Sequence, residues 1–267
     1  MIDLRNKNAV IYGGGGSLGG AVGKMFAWAG AKVFLTGPTV APLQKVADEI
    51  AKSGGLAAID QVDAFDKKAI DEHLEKVIGE AGTVDISFNA VDIELIQGVP
   101  LVDMKVGDFV GPITKTMQTR FLTAVAAGKV MQRQRSGVIL TLTATPGGIG
   151  YPYTAGFAAA CSAVERFSCN LAAELGVYGV RVVNIRSGGS PDSKVFKDAI
   201  ENNPDSMAQV LQKMENDTML KQLPLMNDIA NVAAFLVSDL ASKITGVTVD
   251  VTAGTTAGLN HRVERLT

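Results

Sequence analysis

The sequence predicts a single α/β domain built as a doubly wound, seven-stranded parallel sheet with helices on both faces. Short apolar runs alternate with helical segments along the whole chain, the order that successive βαβ units produce. The first apolar run passes through a glycine-rich turn straight into a helical segment. A chain of 267 residues, 47% hydrophobic and 19% charged, is long and apolar enough to bury one large core.

Asn8 to Tyr12 is the first strand, and GGGGSLGG turns it into a helix over AVGKMFAWAG that stops at Gly30. AKVFLTG is the second strand, Pro38 to Ser53 a helix closing at Gly54-Gly55, and GLAAIDQVDA the third strand. Lys67 to Glu80 is a charged helix and VDISFNA the fourth strand. Val106 to Arg135 reads as one long helix region, interrupted near its start by Gly111-Pro112. Gly137 to Thr143 is the fifth strand, Phe157 to Val177 a helix of small residues suited to close packing, and VRVVNIR the sixth strand. Residues 188–223 follow. They carry Met207, Met214 and Met219 among many charges and read either as a mobile helical flap over a pocket or as an ordinary surface helix. Asn227 to Asp239 is the last helix and ITGVTVDV the seventh strand.

Composition narrows the function. A formal net charge of −2 gives no footprint for nucleic acid or an anionic membrane, so a small-molecule ligand is expected. Cys161 and Cys169 stand two helical turns apart, beyond bridging distance, and read as reduced thiols of a cytoplasmic protein. The opening MIDLRNKNAVIY lacks the order of a signal peptide. The uncharged run from Ser136 to Val164 is broken by Pro146, Gly147, Gly148, Gly150 and Pro152, which favours a buried strand, loop and helix over a membrane span. His73 and His261 read as solvated, and no cluster has metal-ligand spacing.

The turn Gly13-Gly14-Gly15-Gly16-Ser17-Leu18-Gly19 follows a strand and opens a helix, where a β-carbon would keep a dinucleotide pyrophosphate from the helix N-terminus. With this turn, Asp63 after the third strand, Asn89 after the fourth, Ile244-Thr245-Gly246 before the last, and the order of elements, the chain resembles the short-chain dehydrogenase/reductase family over nearly its whole length. The resemblance implies a Rossmann-type fold, NAD(P)(H) as cofactor, and a homo-oligomer, dimer or tetramer, formed through the two long helices. It also implies cofactor contacts at Gly13, Gly16, Ser17, Leu18 and Gly19, at Gly37, Asp63 and Ala64, and at Asn89 and Asp92.

Several positions depart from the family pattern. Ser17 takes the middle glycine place, where it either adds a hydroxyl to a phosphate or is simply tolerated. Gly37 replaces the acidic residue that holds a ribose 2′-hydroxyl, and Pro38 stands where many NADP-binding members have arginine. The balance leans to NADP over NAD. The Asn-Asn-Ala-Gly element reads Asn89-Ala90-Val91-Asp92, placing a carboxylate near the ribose and nicotinamide.

The family's proton chemistry uses a tyrosine, a lysine four residues on that lowers the tyrosine pKa from about 10, and a serine thirteen residues before it. Alignment puts Phe157, Cys161 and Ala144 at those places, and Thr116 at the asparagine that anchors a relay water. Replacement groups are Tyr153 as a proton donor or a loop aromatic, and Cys161 as a nucleophile or a core residue. Arg186 either pairs with Asp92 or holds a substrate carboxylate or phosphate, and Asp192 with Ser190 either supplies acid–base groups or forms an ordinary loop. Three readings follow: an atypical NAD(P)(H)-linked oxidoreductase of small carbonyls or alcohols, a lyase, isomerase or cyclase using the cofactor cleft as a pocket, and a redox-silent binding or assembly protein.

Overall fold

A computed structural model describes residues 2–258, and His261 lies outside them. Seven strands, β1 (Asn8–Tyr12), β2 (Lys32–Gly37), β3 (Leu56–Gln61), β4 (Ile86–Asn89), β5 (Gly137–Ala144), β6 (Val180–Ser187) and β7 (Thr248–Val251), form one sheet. The order is β3-β2-β1-β4-β5-β6-β7 and every pairing is parallel. Consecutive parallel strands require helical crossovers, and these cover both faces.

Alternation along β1 shows how the two layers arise. Ala9 and Ile11 pack with α1 (Ser17–Trp28), α2 (Val40–Lys52) and α8 (Met226–Val237). Val10 and Tyr12 point the other way, into a second core with α3 (Lys67–Ala81), α4 (Val106–Gln134) and α5 (Ala155–Leu175). All five β1 residues are buried, as a strand covered on both faces must be, and each large side chain such as Ile11 or Phe26 contributes ~1.5–3 kcal/mol by leaving water. The chain builds outward to β3 and then restarts beside β1 at β4. The strand ends therefore splay at the β1/β4 switch point, where open α/β sheets form their binding crevice.

Three expectations are corrected. Helix α4 runs unbroken through Pro112, because losing one backbone donor near the start of a 29-residue helix leaves the rest of its ladder intact. Residues 190–223 hold two helices, α6 (Lys194–Asn202) and α7 (Pro204–Asp217), split where Pro204 begins the second. His73 is buried, its side chain 3% exposed, since it shares the inner face of α3 with Ile70, Leu74 and Val77. Its Nε2 lies 3.5 Å from the Asp60 carboxylate, but burial outweighs that attraction and lowers the imidazole pKa.

Among the described residues no helix is long and apolar enough to cross a membrane.

Candidate active site

The crevice starts at the glycine turn. Gly13 has φ +77°, and a β-carbon there would lie 2.7 Å from the Ala90 carbonyl oxygen; one at Gly19 would lie 2.2 Å from the Gly13 oxygen. Only glycine lets β1, the β4 loop and α1 approach this closely. Helix α1 begins at Ser17 with Gly16 as N-cap and no side-chain cap, so its first amides face a cavity of about 480 Å³ lined in part by Gly16, Ser17 and Leu18. That arrangement fits the phosphates of a dinucleotide. The Ser17 hydroxyl is engaged from across the crevice: it accepts a 2.8 Å hydrogen bond from the Lys194 amide at the start of α6.

Gly37 ends β2, and Asp63 and Ala64 follow β3, all outside the walls of this cavity. The Asp63 carboxylate accepts from the Phe65 amide at 2.9 Å. A β-carbon at Gly37 would meet only Leu43, at 3.5 Å, so sterics do not demand glycine there.

At the inner end, Ala144 from β5 and Phe157 and Cys161 from α5 all line the same cavity, together with Thr116. The four positions aligned with the family's reacting groups therefore do converge, and they carry a methyl, a phenyl, a thiol and a hydroxyl. Burial pushes the Cys161 thiol up to about 11, which leaves it neutral and a poor nucleophile.

Asp92 lines this cavity, whereas Asn89 is buried outside it and braces β4 against α4. The Asn89 amide donates to the Thr119 oxygens at 3.2 Å and to Thr123 Oγ1 at 2.9 Å, and its carbonyl accepts from the Val91 amide and from Arg120. Arg120 is a buried, cavity-lining charge that reading the sequence missed. It stands one turn beyond Thr116 on α4, so i, i+4 spacing from that aligned position was the available signal. The residue lines the cavity, its guanidinium donates to Asn89 Oδ1 and, at 3.0 Å, to the Val91 carbonyl oxygen, and burial lowers its pKa to about 10.

Apart from Cys161, the expected replacement groups stand elsewhere. Arg186 does not pair with Asp92: its Nε and Nη2 donate to the two Glu165 oxygens at 2.9 and 2.6 Å, and its Nη1 donates to Asp250 at 2.9 Å. Side chains alternate along a strand, so it is Ser187, one residue on, that lines the cavity. Tyr153 is 58% exposed with φ +62° and lines neither large cavity. The backbone turns there to let its carbonyl accept from the Gly98 amide, sending the ring outward. Asp192 caps α8, its carboxylate accepting from the Met226 amide at 3.1 Å. Ser190, 2% exposed, is buried beside it in the chain.

A second cavity, of about 570 Å³, shares Ala144, Phe157 and Val195 with the first. Tyr151 is on its wall, and Met207 and Met214 from α7 cover it. Met214 can lie this low because Gly189 has no side chain: a β-carbon there would be 2.4 Å from its methyl. Met219 lies apart, against Gly254. Among the described residues no group of three His, Cys, Asp or Glu can hold a metal ion.

A family model described as enoyl-(acyl carrier protein) reductase matches residues 14–256. The chain is 29% identical to the 3-oxoacyl-(acyl-carrier-protein) reductase FabG of Escherichia coli (strain K12), over 95% of this chain and 98% of that one. It is 30% identical to tropinone reductase-like 1 of Erythroxylum coca, over 94% of this chain and 90% of that one. The crystal structure of levodione reductase superimposes with a TM-score of 0.88 at 24% identity, over 96% of this chain and 100% of that one.

Proposed function

The chain belongs to the short-chain dehydrogenase/reductase family, and on that premise we propose that it is an NAD(P)(H)-linked oxidoreductase of small, largely apolar carbonyls or alcohols with a proton donor unlike the family's. One observation carries this reading: the uncapped α1 N-terminus and the Ala144–Phe157–Cys161 wall belong to one cavity, and a second, apolar cavity adjoins it, sharing Ala144, Phe157 and Val195.

The amides after Gly16 hold the pyrophosphate, and Gly13 and Gly19 let it approach. Gly37, Asp63 and Ala64 take the adenosine half, Asn89 keeps the β4 loop in place, and Asp92 faces the second ribose. With no acid at Gly37 to repel a 2′-phosphate, the preference leans to NADP(H). A bound reduced nicotinamide supplies the hydride. The substrate lies in the second cavity against Tyr151 and the α7 methionines, which exclude water. Phe157 has no proton to give, so the proton on the substrate oxygen comes from the Tyr151 phenol or from water. Losing the family's general acid lowers the rate by ~10²–10⁴-fold and does not abolish hydride transfer.

The exposed Phe121 on α4 packs at a tilt against Phe167 of α5, 5.9 Å between ring centroids, an apolar patch that supports pairing of two copies through these helices.

Titration with NADPH and NADH tests the reading. Trp28 is 71% exposed at the end of α1 farthest from the turn, so nicotinamide fluorescence is the signal to follow. Saturable binding of either nucleotide is expected. No binding of either at millimolar concentration sinks the redox reading and leaves the cleft to a non-redox enzyme or a binding protein, which the same Ala144, Phe157 and Cys161 wall would suit.

A further inference from the structure

Arg120 is only 6% exposed, yet among the described residues no carboxylate lies within 4.0 Å of it. Its two hydrogen bonds go to neutral acceptors, Asn89 Oδ1 and the Val91 carbonyl. Asp92 attracts it only across the cavity, and the Cys161 thiol beside it is neutral. The Arg120 Nε is fully buried with no hydrogen-bond partner. Guanidinium offers five N–H donors, and it keeps its charge at neutral pH even with the lowered pKa. A buried cation that the fold neither neutralises nor saturates is unfavourable unless a ligand completes it.

We infer that Arg120 is an anion-recognition residue, and that the first cavity takes a ligand bearing a single carboxylate on an apolar body. The carboxylate accepts from the terminal guanidinium N–H groups that Asn89 and Val91 leave free, the planar fork that arginine offers such groups. Asp92 shares the cavity and repels a dianionic phosphate more than a monoanionic carboxylate. Val91, Leu142, Phe157 and Val164 on the walls suit an apolar body. Nucleotide phosphates belong at the α1 end and Arg120 at the α4 end; the apolar body takes the Phe157 wall that a nicotinamide would also face, so the ligand binds the nucleotide-free protein and the inference does not rest on the redox reading.

Calorimetric titration at constant ionic strength with sodium benzoate, benzamide and inorganic phosphate tests it, alongside ¹⁵N spectra of the arginine Nε–H groups assigned through Arg120→Lys. Benzoate is expected to bind saturably, at least about tenfold more tightly than neutral benzamide or phosphate, and to move the Arg120 Nε–H resonance. Arg120→Met is expected to lose that preference and Arg120→Lys to keep part of it. Equal binding of benzamide, tighter binding of phosphate, or wild-type benzoate affinity in Arg120→Met overturns the inference. If Arg120→Met does not fold, an Arg120 Nε–H resonance that benzoate leaves unmoved in the wild-type protein overturns it equally.

Discussion

Arg186 of β6 and Glu165 of α5 face each other edge to edge, with two parallel hydrogen bonds at 2.9 and 2.6 Å and side chains 13% and 15% exposed. Asp250 of β7 takes a third contact from the same guanidinium at 2.9 Å, so one side chain ties helix α5 to the last strand pair. Breaking a fully buried pair costs ~3–5 kcal/mol, and partial exposure reduces this. Arg186→Met is expected to lower the unfolding free energy by about 2 kcal/mol in urea titrations, leaving nucleotide affinity unchanged. A tenfold loss of nucleotide affinity without a stability change would return Arg186 to the active site.

Tyr151 lines the second cavity and Tyr153 does not. If the phenol of Tyr151 protonates the substrate, Tyr151→Phe lowers kcat by ~10²–10⁴-fold while Tyr153→Phe matches the wild type. Equal activity of all three proteins would leave water as the donor.

Ser17 holds the start of α6 through the Lys194 amide. Removing one such bond costs about 1 kcal/mol, so Ser17→Ala is expected to make residues 190–223 several-fold more sensitive to limited proteolysis without changing global stability.

His73 is buried among groups that pull both ways, with Asp60 and Glu80 favouring its charge and Lys76 opposing it, and burial prevails. Its folded pKa lies below the ordinary value of 6.5, so the unfolded chain takes up the proton first as pH falls. Stability is therefore full above pH ~6.5 and declines below it, with a slope of at most ~1.4 kcal/mol per pH unit from this group. His73→Gln is expected to flatten the urea midpoint between pH 7 and 5.5; an unchanged slope would assign the decline to other groups.

Restoring the family's residues should fail in an informative way. Cys161→Lys places an ammonium in the cavity that Arg120 already lines, at a cost of roughly 3 kcal/mol, and Arg120→Met in the same chain should relieve most of it. Additive losses in the double variant, measured by thermal unfolding, would show that the two positions do not interact.

Much of this protein was legible in the chain itself. Alternating apolar runs and helical segments determined the strand count and the two-faced sheet, because periodicity and burial are local properties of sequence. Gly13 and Gly19 marked the tight turn, and Ala144, Phe157 and Cys161 marked three positions that do line one cavity. Side-chain direction was decided only by the tertiary structure. Arg186 and Ser187 differ by one residue and point to opposite faces of β6; Tyr151 and Tyr153 sit in a loop with no period at all. Arg120 lies inside a long helix, and its meaning appears only where α4 meets the β4 loop, because the contacts that leave its charge buried come from residues about thirty positions away.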